Sequence, residues 1–459
     1  MLDSKRSFLV AALFVASVAS QACSSAATSA PSAAAPSAPS AAATSAASAA
    51  ASSTSPALAP ATLTLWHNYG TEANATATVN LVKAFEALHP GVTINVVSQP
   101  AANYFDLLQA AAISKTGPDI ATMWTGLFDL KYQSYLQPLN NLVPMSDLMK
   151  LKGIQYSSIN FDPTQGVLVV PLEVQFYNGF YNKALFQKAG LDPNNFPTTW
   201  DQFFAACAKL KAAGIEPMVY GTGGQALGGG FYPWYDVSYM MMEWTPAQWQ
   251  ELYDGQLPWT DPAVAAQFTK WVSIYKQGYA NQDVLTDQDS IAQFEAGKAA
   301  MTMEGTWEIA EFQQKMGSNV GVFVPPFSNT PIHGVVEYSG DGFSMTTYSQ
   351  HKTQAAAFLA FVASDAAQKI IADAGLIPAK EGFSTDQPMA QDLLAYAATK
   401  GYTRYPMLDN VIQPEVSDPV GTKIINAMFS GEMSVQAGLT NLQQALMQLP
   451  ADRRGTSYK

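Results

Sequence analysis

The chain has little of what metal, disulfide or nucleic-acid chemistry requires. Its 459 residues include 2 cysteines, Cys23 and Cys207, too few for a disulfide framework or a thiolate zinc site. The 4 histidines, at positions 67, 89, 333 and 351, show no metal-ligand spacing, and no cofactor is expected. Basic residues are scarce: 24 Lys and Arg against 36 Asp and Glu give a net charge of −12, which argues against nucleic acid as a partner. The Gly-x-x-x-x-Gly-Lys-Ser/Thr phosphate loop is missing, even from the glycine-rich stretch Gly221–Gly230. Past the N-terminus no apolar run is long enough to span a bilayer. What is present, 48% hydrophobic residues and 9 Trp, suits a globular chain long enough for two domains with their own cores.

The first 60 residues stand apart. Lys5-Arg6 and the apolar run Phe8–Val18 have the basic start and hydrophobic middle of a secretory signal over residues 1–22. Ala22 directly before Cys23 resembles a lipobox, where cleavage exposes the cysteine for lipid attachment, although Ser20 replaces the usual leucine. Cleavage at an Ala-x-Ala-like site, leaving Cys23 a free thiol, is the alternative. Residues 23–60 then read as a disordered tether. Ser24–Pro60 is nearly all Ala, Ser, Thr and Pro, with one leucine and no aromatic, so it has nothing with which to bury a core. A flexible chain of roughly 37 residues spans about 30–35 Å, enough to hold a domain off a surface. With Cys23 lipidated, Cys207 is left as a lone buried thiol on a helix.

From Leu63 the pattern alternates. Leu63–Trp66 reads as a strand and His67–Glu72 as a polar turn; the helix that follows runs to about Leu88, with Val79, Val82, Phe85 and Leu88 on one face. Val92–Val97 is a strand, Tyr104–Lys115 a helix, and Asp119–Met123 a third strand that leaves Trp124-Thr125 at its carboxyl end. Such alternation predicts an α/β fold with a parallel sheet covered on both faces. The loops after the first and third strands share an edge of that sheet, so Asn68, Tyr69, Glu72, Trp124 and Thr125 can face one cleft. Val167–Pro171 and Gly179–Tyr181 are further strands. Between them Glu173 and Gln175, two residues apart in extended chain, share a side, as contacts for a ligand or simply in solvent.

Downstream, Trp200–Gly214 is a helix with Phe203, Phe204 and Leu210 inward, and Glu216–Gly221 a strand. Phe231–Tyr235 is too aromatic to be core on one face, and Tyr232 and Trp234 are the candidates to line a cleft. Phe294 closes a helix stopped at Gly297, Ala299–Met303 is a short buried strand, and Glu304–Thr306 a turn delivering Trp307 to the strand end. On physics alone Trp307 serves equally as a core aromatic. Ser339–Gly342 interrupts two extended segments, with Gly340 and Asp341 where glycine allows close approach or a plain turn.

Three motif groups carry a resemblance: Phe294-x-x-Gly-Lys-Ala-Ala-Met followed by Gly305-x-Trp307; Tyr181-Asn-Lys-x-Leu-Phe-x-x-Ala-Gly-Leu with Pro197-Thr-Thr-Trp-x-x-Phe203; and paired helices Ala355–Ala363 and Ala366–Ala374 ending in Gly375-Leu-Ile-Pro378. From Leu63 to Leu449 the chain resembles the maltose-binding-protein-like sugar receptors of ABC importers, the extracellular solute-binding family 1. The resemblance implies a two-lobed periplasmic-binding-protein fold of type II-like form, with an interlobe cleft and hinge crossings. Lobe 1 would comprise 61–172 plus 335–378, and lobe 2 would comprise 173–334 plus 379–459. It further implies that Asn68, Glu72, Glu173, Gln175 and Asp341 bond sugar hydroxyls while Trp124, Tyr232, Trp234 and Trp307 stack on the rings, with Tyr69, Thr125 and Gly340 beside them and Arg404 an extra donor. Relatives place an aromatic or arginine near the helix beginning at Val420, where this chain has Glu415–Pro419.

The expected protein is an exported bacterial monomer, lipid-anchored to the outer face of the membrane or periplasmic, that hands a mono- or oligosaccharide to a membrane permease. Two rivals stay open. One is the same fold with a non-sugar solute such as a polyamine. The other is a secreted glycoside hydrolase using a carboxylate pair such as Glu173 and Glu304.

Overall fold

The computed structural model describes residues 57–69, 73–100, 103–221, 232–240, 243–287, 289–330, 334–399, 403–407, 416 and 423–454. Cys23 with the arm up to residue 56, Glu72, the stretch 222–231 and Glu415 with Ser417–Pro419 lie outside them. Two sheets organise what is described. The first has the order β2-β1-β3-β10-β4, with β1 Ala61–His67, β2 Val92–Ser98, β3 Ile120–Trp124, β4 Val170–Pro171 and β10 Asp341–Met345. The second has the order β11-β9-β5-β7-β6, with β8 also on β5: β5 Gln175–Asn182, β6 Glu216–Val219, β7 Ala299–Gly305, β8 Val320–Phe323, β9 Gly334–Tyr338 and β11 Thr403–Pro406. Each sheet has its own buried clusters, so the molecule is a two-lobed α/β protein.

Neither sheet is purely parallel, contrary to the expectation from alternation. β1 pairs in parallel with β2 and β3, but β10 lies antiparallel between β3 and β4. β5 runs antiparallel to β7, β8 and β9. The reason is topological: a strand that arrives from the other lobe is not bound by the right-handed crossover that keeps successive strands parallel. β9 pairs within the second sheet, so 335–338 belong with it, and the chain returns to the first sheet at Ser339–Gly340. β5 also starts earlier than expected and includes Gln175, and β7 continues through Gly305 into a short 3-10 turn, Thr306–Glu308.

The first helix, Ala73–Leu88, turns a different face inward from the one expected. Asn74, Ala77, Thr78, Leu81, Val82 and Phe85 are buried, while Val79 and Leu88 are exposed. These positions recur every three to four residues, and small Ala77 and Thr78 let the helix lie close to the sheet. Helix Trp200–Ala212 begins at Thr199, whose side chain accepts from Gln202 N, and buries Phe203, Cys207 and Leu210; Phe204 is half-buried against Trp200. Burial pushes the Cys207 thiol well above its usual range, so it is an inert core residue.

Three stretches cross between the sheets and lie side by side. Leu172–Val174 joins β4 to β5, Ser339–Gly340 joins β9 to β10, and Leu376–Ala379 follows the paired helices Lys352–Val362 and Asp365–Asp373. Leu172 N donates to Asp341 O and Val174 N to Ile377 O, both at 2.8 Å, and Glu173 bridges to Pro378. Gly340 has φ +74, and a Cβ on it would come 2.5 Å from Glu173 O. Gly340→Ala should therefore cost about 1–3 kcal/mol, seen as a lower denaturation midpoint. Gly382 has φ +86 but nothing within 4 Å of a Cβ, and Gly382→Ala should cost about 1 kcal/mol. Equal losses at both positions would show that backbone conformation, not close approach, is the constraint.

Candidate ligand-binding site

Glu173 sits in the middle crossing with 1% of its surface exposed. Its Oε1 accepts from Gln175 Nε2 at 2.8 Å and from Asn74 Nδ2, which stands in the first turn of helix Ala73–Leu88. The two-residue spacing in extended chain does bring Glu173 and Gln175 to one side, and that side is buried. Burial pushes the carboxyl up to about 8, against the pull of these two donors. It is thus largely a neutral acid at pH 7, able to offer a proton as well as a lone pair.

The first sheet contributes the groups beside it. Tyr69, just past β1, is 3% exposed; burial first, then the nearby negative Asp341, with Glu173 a smaller contribution, holds its hydroxyl well above the usual range. Asp341 opens β10 and pairs in register with Trp124, the last residue of β3. Asn68 is buried, and its Oδ1, like Asn74 Oδ1, has no hydrogen-bond partner among the described residues. Thr125 is fully buried. Trp124 is half-buried, edge-on to Phe105 at 4.8 Å and Phe128 at 5.0 Å, and it packs against the cores of both lobes. An indole placed so lies at the seam between the lobes.

The second sheet brings Trp307 to the same seam. The strand β7 ends in Gly305, where a Cβ would fall 2.0 Å from the Trp307 ring, so the indole folds back over the glycine. Its Nε1 donates to Glu304 Oε2 at 3.3 Å. Thr306 Oγ1 accepts from Phe176 N at 3.1 Å, which ties the turn to β5. The turn Thr306–Glu308 abuts helix Ala73–Leu88 of the first lobe.

Three further expected residues lie in the second lobe. Tyr232 and Trp234 open the helix Tyr232–Met240, whose side chains are described only from Asp236 onward. Arg404, on the outer strand β11, is exposed and ion-paired to Glu337 on β9, so its guanidinium is committed there. Asn74 and Asp236 were not singled out by sequence. The signal for Asn74 was available: it is a polar residue on the 74-77-78-81 stripe of a helix, where only a hydrogen-bonded side chain is tolerated.

The comparisons bear on the family and the fold. The model of the bacterial extracellular solute-binding protein family matches residues 69–369, a span that takes in most strands of both sheets. The chain belongs to that family. An uncharacterized ABC transporter extracellular-binding protein of Pyrococcus horikoshii is 26% identical over 325 residues, 67% of this chain and 68% of that one. The sn-glycerol-3-phosphate-binding periplasmic protein UgpB of Shigella flexneri is 26% identical over 326 residues, 66% and 70% of the two chains. Among solved structures, a chitin oligosaccharide binding protein has a TM-score of 0.74 at 22% identity, covering 85% of this chain and 98% of its own. A maltose-bound MalE3 of T. maritima has a TM-score of 0.69 at 17% identity, covering 85% and 100%. This solute-binding protein therefore has the fold of two-lobed receptors and the family role of an extracellular component of ABC importers.

The buried acid gives a test in pH. Between about 4.5, its ordinary value, and about 8, folded Glu173 holds a proton that the unfolded chain releases, so it makes stability fall as pH rises across that window. Glu173→Gln keeps the acceptor and cannot ionise. Melting curves of the two proteins should nearly coincide at pH 4, and the variant should gain on the parent steadily up to pH 8 and no further. An offset that does not change with pH would show that Glu173 is ionised throughout.

Proposed function

We propose that this solute-binding protein holds a neutral mono- or oligosaccharide at the seam between its lobes and delivers it, closed by hinge bending at the three crossings, to a membrane permease. The observation that carries the reading is Trp124, half-buried and in contact with both cores, next to buried carboxyl and amide groups. Indole faces suit the CH faces of a pyranose, and Glu173, Gln175, Asn68 and Asp341 suit its hydroxyls. The fold-level neighbours whose titles name chitin oligosaccharide and maltose support the sugar class.

Charge argues against the phosphoester named for the Shigella relative. The groups acting on Tyr69 and Glu173 in this region are acids, amides and hydroxyls, with no lysine or arginine among them. The same surplus of acid favours a second reading, a cationic solute such as a polyamine held through carboxylates and aromatic faces. In either case no covalent step is proposed. Glu173 and Glu304 serve as hydrogen-bonding groups, and attachment of Cys23 to lipid leaves residues 24–60 as the arm between membrane and receptor.

A thermal-shift panel of maltose, chitobiose, raffinose, spermidine and glycerol 3-phosphate tests the reading. At about 100 times its dissociation constant a bound sugar should add roughly 2.7 kcal/mol of stability. The shift should vanish in Trp124→Ala and Trp307→Ala. A shift with spermidine alone would keep the fold and replace the ligand class. A shift with glycerol 3-phosphate alone, or release of reducing sugar from an oligosaccharide, would overturn the proposal.

A further inference from the structure

Asp236 is fully buried in the second lobe, and its side-chain bonds among the described residues each go to a different element. Its Oδ2 accepts from Tyr220 Oη at 2.8 Å, just past β6, and from Trp271 Nε1 at 2.9 Å, on helix Pro262–Trp271. Its Oδ1 accepts from Tyr177 Oη at 3.2 Å, on β5. Asp236 itself lies on helix Tyr232–Met240, so one carboxylate joins two helices, β5 and the end of β6. A buried acid costs several kcal/mol unless it is satisfied, and here three donors satisfy it.

The same helix makes a second polar attachment to the same residue of β5. Tyr239, one turn after Asp236, donates its hydroxyl to Tyr177 O and accepts from Val336 N of β9 at 3.2 Å. Tyr177 in turn pairs with Gly305 of β7, the glycine over which the Trp307 ring folds. A continuous path therefore runs from the helix that begins at Tyr232, through Asp236 and Tyr177, to Gly305 and Trp307.

We propose that Asp236 is a positioning residue: by holding helix Tyr232–Met240 to Tyr177 it sets that helix at a fixed place relative to Trp307. This rests on the seam being the ligand site. A leucine of similar size would fill the space but remove the acceptor that Tyr177, Tyr220 and Trp271 share, so the helix would lose this link to β5. An asparagine keeps one oxygen for Tyr220 and Trp271 and presents its amide to the Tyr177 oxygen, which can accept as well as donate.

The test is amide hydrogen exchange on the full chain, with no ligand, in the parent, Asp236→Asn and Asp236→Leu. Exchange across 232–240 and 305–308 should rise at least tenfold in the leucine variant while the first-lobe strands β1 and β3 keep their parental rates, and the asparagine variant should stay within about threefold of the parent. Unchanged rates at 232–240 in Asp236→Leu, or a uniform rise across the chain, would overturn the proposal. In parallel, any sugar of the panel that shifts the parent should lose at least tenfold in affinity in Asp236→Leu and recover in Asp236→Asn. If affinity is unchanged in the leucine variant, the helix does not form a wall of the site. Should no sugar bind the parent, the ligand reading fails while the exchange comparison still decides the role of Asp236.

Discussion

The three crossings lie side by side because position 340 has no side chain. Gly340 lets the return strand approach to within contact of the Glu173 carbonyl, and that closeness puts Leu172 N on Asp341 O and Val174 N on Ile377 O. With the crossings fixed, Glu173 cannot leave the seam. Its backbone is held on both sides, and its side chain has Asn74 and Gln175 as its hydrogen-bond donors. The same alignment starts β10 at Asp341 and sets it opposite Trp124. Backbone packing at one glycine therefore decides where an acid and an indole stand.

Much of this was legible in the chain itself, for identifiable reasons. Gly305-x-Trp307 and the Glu173-x-Gln175 pair are local patterns, and local patterns survive folding: a glycine leaves room for a ring two residues on, and alternate residues of a strand share a side. Helices Ala73–Leu88 and Trp200–Ala212 and strands β1, β2 and β3 followed from periodicity as well. What local pattern could not carry was partnership between distant segments. Whether β10 would run with or against β3 depends on where the chain re-enters the sheet, and β9 looked like the first lobe because only its pairing with β5 says otherwise. Arg404 read as a free donor because Glu337, on the neighbouring strand, is 67 residues away. Asp236 was invisible for the same reason, since its partners come from three separate stretches.

Buried polar groups are met to different degrees. In the second-lobe interior Asp236 meets a full set of donors, which favours a single rigid arrangement. At the seam Asn68 Oδ1 and Asn74 Oδ1 are buried with no hydrogen-bond partner among the described residues. Unmet acceptors are costly inside a protein unless something else supplies the bond, and hydroxyl-rich solutes supply such bonds in number.

The antiparallel strand β10 has a consequence for how the molecule is made. β3 ends at Trp124, but its neighbour on that side begins only at Asp341, after the chain has passed through the second sheet and come back. During synthesis or passage across a membrane from the N-terminal end, the first sheet must wait, with β3 open along one edge, while β5, β7 and β8 can already pair. The lobe that begins the chain is thus completed after the central strands of the lobe that interrupts it. Long sequence separation between paired strands slows folding, and an unpaired strand edge in that interval is exposed to wrong pairing.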